Sequence, residues 1–277
     1  MEIKRLYHYC SLNTLILILE KRTIKLSEIQ KSNDRKEIEF LWDCYISYIS
    51  RVCGNALCSR LEKYDKEKQI AQTNFLAVCF SEHSDSQQMW SNYGNGGVCI
   101  GFNKEKLEKW ADGIHVFDNG IVYTRGGHYG QAKLGKVRYF RKNALYGYIN
   151  NHIAASDNSF KHVFNNAPFI KNKLWSGEKE WRVSIPLLYD HIYSNYIIQI
   201  AKNANVYMPK KEKMLVRLKD NSSLYVSCFV PFEPDMIESI TLAHNCKANE
   251  IDIKKMLLIY KFGFLIDEIK RSKGGMR

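Results

Sequence analysis

The tract Trp175-Ser176-Gly177-Glu178-Lys179-Glu180-Trp181-Arg182 places two carboxylates two residues apart, between tryptophans, with an arginine directly behind. Residues 180–185 alternate apolar and polar side chains, which predicts a strand. Side chains on a strand repeat every two residues, so Glu178, Glu180 and Arg182 are expected on one face. Ser176-Gly177 reads as a turn, which puts both carboxylates at a strand mouth, half desolvated by Trp175 and Trp181. A carboxylate there can hydrogen-bond a substrate hydroxyl or stabilise developing positive charge. The same octet also fits a surface strand whose Glu and Arg form a weak exposed ion pair.

A second stretch with chemical content runs from Lys133 to Tyr148. Lys133, Lys136, Arg138, Arg141 and Lys142 interleave there with Tyr139, Phe140, Tyr146 and Tyr148. Basic groups neutralise phosphates and aromatic rings stack on bases, so this is the candidate nucleic-acid segment. A basic helix with a buried aromatic face accounts for the same pattern. The chain carries 41 Lys+Arg against 29 Asp+Glu, a formal charge of +12, and this excess favours polyanionic partners. Part of it lies in Lys270-Arg271-Ser272-Lys273, read as a solvated tail.

The eight cysteines include no Cys-x-x-Cys pair, and several sit in apolar runs such as Val78-Cys79-Phe80. That is the usage of free thiols in a reducing cytosol. The eight histidines show no metal-ligand spacing, so no metal is expected. The glycines at 94, 96, 97 and 101 do not form a dinucleotide fingerprint and read as turn glycines, with Asn95-Gly96 suited to a type I′ turn. No apolar run reaches membrane length, so a soluble, unprocessed, cytoplasmic protein is expected.

The elements that must position these groups follow from periodicity. Residues 3–9 read as a strand, and Ser11 as the cap of a helix with Leu12, Leu15, Ile16 and Leu19 on one face. Residues 23–27 read as a strand. Asp34 and Glu37 resemble a capping box for a long helix carrying Ile38, Leu41, Trp42, Tyr45, Ile49 and Val52. A further helix is expected around Leu57, Leu61 and Tyr64. Residues 75–80 form a continuous apolar run of strand length, hence a central buried strand. Strands are also expected at 98–102, 120–124, 196–200, 214–218, 224–229 and 237–242, and helices at 104–111 and 251–262. Strands and helices mix without strict alternation, which predicts one α+β domain with a mixed sheet.

Four blocks then resemble a known pattern. They are Leu6-Tyr7-His8-Tyr9-Cys10-Ser11; Ser32-Asn33-Asp34; Cys79-Phe80-Ser81-Glu82 leading to Met89-Trp90-Ser91-Asn92-Tyr93 and residues 97–102; and Trp175-x-x-Glu178-x-Glu180-Trp181-Arg182. In order and spacing they are similar to the bacterial domain-of-unknown-function family 2971, from about Leu6 to Phe262. Asn33-Asp34-Arg35 departs from it, because the family more often has proline after Asn-Asp. The motif order is in turn similar to that of ADP-ribosyltransferase folds. That resemblance implies a split mixed β-sheet flanked by helices, with NAD held as substrate in a central cleft. It implies a catalytic-like domain over 1–265, with helical insertions at 34–73 and 130–171, followed by a basic tail over 266–277.

On this reading Glu180 stabilises the oxocarbenium-like ribose and Glu178 orients or deprotonates the acceptor. His8 would bind the adenosine ribose, Tyr9 or Tyr93 would stack on nicotinamide, and Ser81 would fix Glu180 or the ribose. Trp90 and Arg182 complete the expected NAD-binding set. The acceptor would be a nucleic acid, met by Lys136, Arg138, Arg141 and Lys142, or a protein, as for a toxin or phage-defence effector. Two alternatives stay open: a non-catalytic nucleic-acid-binding or sensing protein, and an NAD glycohydrolase. Each residue also has a plainer role. His8, Trp90 and Tyr93 can be packed core residues, Ser81 a helix cap, and Arg182 a fixed counter-ion to Glu180.

Overall fold

The computed structural model describes residues 2–29, 37–53, 75–117, 120–123, 132–152, 163, 165–186, 212–213, 215–219 and 223–274. The strand at Phe75–Ser81 (β3) organises the architecture. Its alternation splits two cores: Leu76, Val78 and Phe80 enter one apolar cluster, while Phe75 and Ala77 enter another. The first cluster gathers helices Leu12–Lys21 (α1), Lys104–Asp112 (α4) and Glu250–Ile259 (α6) through Leu15, Leu19, Leu107, Trp110, Ile253 and Leu257. The second gathers Glu37–Cys53 (α2) and Lys142–His152 (α5) through Leu41, Tyr45, Leu145 and Ile149. The spacing of these residues is the 3.6-residue period read from the sequence.

The sheet forks at β3. Strand Glu180–Pro186 (β10) pairs along its whole length on one edge, in the register Glu180↔Ser81, Arg182↔Cys79 and Ser184↔Ala77. The opposite edge is shared. Thr23–Glu28 (β2) pairs at Leu76 and Ala77, whereas Arg5–Cys10 (β1) pairs only at Ser81. On the β2 side follow Ser223–Pro231 (β13) and Leu215–Lys219 (β12). On the β1 side follow Val98–Asn103 (β4), Ile237–Leu242 (β14) and Ile269–Arg271 (β15). Within this sheet, among the described residues, the β14–β15 pairing is parallel and the others are antiparallel, so the fold is α+β with a mixed, open sheet.

Several elements stand as the sequence predicts. Ser11 caps α1, its hydroxyl accepting from Thr14 N at 3.1 Å, and β3 is central and buried. Four expectations give way in whole or in part. Residues 133–148 are not one helix: Lys133–Lys136 (β7) adds to the free edge of β10, and Arg138–Phe140 (β8) pairs in parallel with Ile170–Asn172 (β9) before α5 begins. The expected insertion at 130–171 therefore contributes a strand to the main sheet. The basic tail is exposed at Lys270, Arg271 and Lys273, as read, yet it has regular structure, since β15 pairs with β14 and Arg271 donates to the carbonyls of Ala243, Cys246 and Ala248. Gly101 lies inside β4, where an added Cβ would overlap Ser239 Oγ, so close approach and not a turn requires it. Gly96 alone has positive φ (66°) in the 95–97 turn, which joins the helix Gln87–Tyr93 (α3) to β4 and is not type I′. The expected helix at 57–64, the strand at 196–200 and Asp34 lie outside the described residues. Among the described residues no helix is long and apolar enough to cross a membrane.

Candidate functional site

The face of β10 that carries Trp181, Val183 and Ile185 is apolar, and Val183 and Ile185 are core. The other face carries Glu180, Arg182 and Ser184, all buried. Buried charges persist only when paired. Arg182 grips Glu180 with two bonds, Nε to Oε1 at 2.6 Å and a terminal nitrogen to Oε2 at 3.0 Å, and donates to Pro168 O at 2.7 Å. Lys171 on β9 reaches across to Glu180 Oε2 at 2.8 Å and to Glu178 Oε2 at 2.9 Å. Glu178 also accepts from Tyr93 Oη at 2.6 Å. Among the described residues two anions and two cations thus meet in one hydrogen-bonded network. Relative exposures are 1% for Glu178, 4% for Glu180, 4% for Lys171 and 1% for Arg182.

Local conformation makes this convergence possible. Glu178 does not belong to the strand: it ends a 3₁₀ segment, Lys173–Glu178, and Lys179 follows in the left-handed region at φ 44°. Gly177 is packed so closely by Gln88 of α3 that a Cβ would overlap the amide. Ser81 Oγ donates to the Glu178 carbonyl at 2.7 Å, and Tyr139 Oη accepts from Glu180 N at 2.8 Å. The turn between the carboxylates is therefore held by its backbone from both sides. Trp175 lies over the Lys171 ammonium, 5.6 Å from ring centre to nitrogen.

Electrostatics separates the two acids. Burial alone would raise the Glu180 carboxyl, but the Arg182 and Lys171 charges outweigh it and hold Glu180 at about 2. Its negative charge is permanent and largely spent on its partners. Glu178 shares one cation and touches Tyr93, whose phenol is pushed upward by burial and then by the Glu178 bond. Tyr93 is 38% exposed, so the Glu178 end of the network reaches solvent. The other accessible point is Cys79, the only exposed residue of β3. Its thiol is raised well above its ordinary range, first by surrounding protein and then by the Glu180 carboxylate. His8 stands at the same fork, Nδ1 donating to Cys79 O at 2.9 Å. Desolvation lowers its affinity for a second proton, against the pull of that carbonyl, and leaves a neutral ring with Nε2 as acceptor.

The structure thus joins Glu178, Glu180, Arg182, Ser81 and Tyr93, with His8 close by through Cys79. It does not bring Tyr9 or Trp90 to them. Tyr9 Oη donates to His83 O at 2.8 Å and accepts from Ser86 N at 3.0 Å, and Trp90 packs edge-on against its ring and donates to Asp85 at 2.6 Å. Arg182, expected to bind cofactor, is a buried counter-ion. Lys171, Tyr139 and Cys79 were not among the residues expected at this site. A lysine in the apolar run Phe169-Ile170-Lys171, close before two glutamates, was the available signal for the first. Of the basic residues, Lys136 pairs with Glu82 at 2.5 Å, and Arg138 meets Tyr148 through Oη at 3.1 Å and the ring at 5.5 Å. Arg141 and Lys142 are exposed. Among the described residues no group of three or more His, Cys, Asp or Glu side chains could hold a metal ion.

Residues 89–183 match the model of a family described as "Protein of unknown function (DUF2971)", which supports the family resemblance of the motifs. The matched stretch contains Tyr93, Lys171, Glu178, Glu180 and Arg182. No curated protein and no solved structure matches the chain.

Proposed function

We infer that the protein is an NAD-consuming enzyme of the ADP-ribosyltransferase type, with Glu178 as its principal catalytic carboxylate. The observation that carries this reading is the Glu178–Tyr93 pair, where a buried carboxylate accepts from the hydroxyl of a tyrosine that is itself partly exposed, beside a forked sheet. The ribose end of NAD suits these groups, since a carboxylate and a phenol accept and donate to its hydroxyls. Exposed Lys173 on the adjoining turn supplies charge for its phosphates.

In the reaction the ribose C1′–nitrogen bond breaks and its electron pair passes to nicotinamide, discharging the pyridinium. The ribose becomes oxocarbenium-like, and a nearby anion stabilises it. Glu178 suits that task better than Glu180, because Glu180 is neutralised by Arg182 and Lys171 together. This reverses the roles expected from the sequence. Glu180 then serves to hold Lys171, which positions Glu178. An acceptor heteroatom bonds to C1′ and its proton leaves to solvent or to Glu178. The acceptor is a nucleic acid or a protein.

The test is incubation with NAD labelled in the ADP-ribose portion, with and without cell extract, followed by separate nuclease and protease treatment. Label is expected in macromolecules and lost with one of the two treatments. Glu178→Gln should cut turnover at least about a hundredfold at unchanged fold. Intact NAD after prolonged incubation, or near wild-type turnover in Glu178→Gln, rejects the reading.

The pairing of both carboxylates with cations among the described residues favours a second reading, in which the four charges are structural and the protein binds nucleic acid through Arg138, Arg141 and Lys142. Replacing these three by Gln should then flatten the slope of log affinity against log salt by about two to three units. An unchanged slope removes it.

A further inference from the structure

On the side of α3 away from Tyr93 lies an open cleft of about 390 Å³, within the roughly 300–1,000 Å³ range of small-molecule sites. Gln87, Trp90 and Ser91 of α3 form one wall, while Gln88 and Tyr93, on the opposite helical face, meet Gly177 and Glu178. The cleft is therefore separate from the carboxylate network. Its other walls are Asp85, Asn95, His244, Asn245 and Gly274.

The polar groups are preset. Asp85 Oδ1 accepts from Trp90 Nε1 and from Ser272 Oγ, both at 2.6 Å, which leaves Oδ2 as an acceptor. Asn245 Oδ1 accepts from Gly96 N at 3.1 Å and its Nδ2 donates to Asn95 Oδ1 at 3.0 Å, so both amides are fixed with N–H groups to spare. Gln87 and Ser91 are exposed and add an amide and a hydroxyl. Although the chain carries 41 Lys+Arg, neither type lines the cleft among the described residues, and the nearby Arg271 is engaged with three carbonyls.

This inventory selects by elimination. A phosphate would meet the Asp85 carboxylate with no Lys or Arg beside it, His244 being, among the described residues, the one lining side chain able to carry a positive charge. An organic cation would satisfy Asp85 but offers no acceptor to the amides. An apolar ligand would leave fixed polar groups unpaired. Hydroxyl groups both donate and accept, and match a carboxylate beside amides. We propose that this cleft binds an uncharged, hydroxyl-rich small molecule of sugar type, free or as the terminal unit of a larger glycan.

Saturation-transfer NMR on the full chain tests this with glucose, ribose and maltose, and with glucose 6-phosphate and spermidine as charged comparators. At least one neutral sugar should receive saturation, with glucose 6-phosphate at least about tenfold weaker, the scale of one uncompensated polar contact. Ser91→Trp fills the cleft from an exposed position and should abolish transfer while leaving the near-UV circular dichroism native. If that variant fails to fold, Gln87→Trp is read the same way. A longer oligosaccharide bound more tightly than its monosaccharide identifies a glycan end as the source. The proposal falls if no neutral sugar receives saturation, if glucose 6-phosphate or spermidine is preferred, or if transfer survives in a folded cleft-filling variant. None of these results bears on NAD consumption.

Discussion

Lys171 and Lys109 make the same bond, an ammonium on a glutamate, at 2.9 Å to Glu178 and 2.7 Å to Glu105. Lys171 lies among buried groups between β9 and β10, whereas Lys109 and Glu105 sit one turn apart on the open face of α4. The exposed pair competes with water and salt and fixes two long side chains for little return. The buried network cannot exchange its partners for water, so its charges must balance. Bond length does not distinguish them; the consequence of removing one partner does.

The largest effect is expected from Arg182→Met. Among the described residues it leaves Glu178 and Glu180 to share Lys171, two anions to one cation, and should lower stability by about 3–5 kcal/mol in denaturant unfolding. Adding Glu180→Leu restores the balance, one anion to one cation, so the double variant should recover most of the loss. A double variant no more stable than Arg182→Met would show that packing and not charge dominates.

Next in size is the response to acid. The folded Glu180 carboxyl sits at about 2, below the roughly 4.3 of an unfolded glutamate. Unfolding therefore takes up a proton at intermediate pH, and the stabilisation is complete above the unfolded value and disappears as pH falls through the folded one. The melting temperature should drop between about pH 4 and about pH 2, less steeply in the Glu180→Leu/Arg182→Met variant. Equal slopes would assign the acid sensitivity to other carboxylates.

Gly97→Ala should cost about 1–3 kcal/mol, because the new Cβ meets the Cys10 carbonyl where β4 joins β1, and backbone yields less readily than a side chain. The smallest effect closes the comparison: Glu105→Ala should leave the melting temperature unchanged within error, and a clear drop would mean that exposed pairs matter here.

Much of the frame was legible because it depends on local periodicity. Alternation at 180–185 gave β10, the apolar run at 75–80 gave β3, and Ser11 marked the start of α1. What remained hidden depends on distant partners. The three-residue β9 is too short to show a period, so Lys171 looked like one more basic residue. β15 is a charged parallel edge strand whose order comes from β14 and three carbonyls, none of which is near it in sequence. The carboxylate pair was visible, but its burial and counter-ions arise from the register of β10 on β3 and from the reach of β9. Gly101 reads like its neighbours until Ser239 is placed against it.

Lys179 gives the spacing of the two glutamates an evolutionary meaning. Its side chain is exposed, so many chemistries are acceptable there, but its backbone occupies the left-handed region that β-branched residues avoid. A library randomised at this single codon should therefore retain glycine, asparagine and aspartate alongside lysine, and purge valine, isoleucine and proline. Such a filter selects on shape and ignores charge, so the Glu-x-Glu signature carries information in the letter that looks least informative.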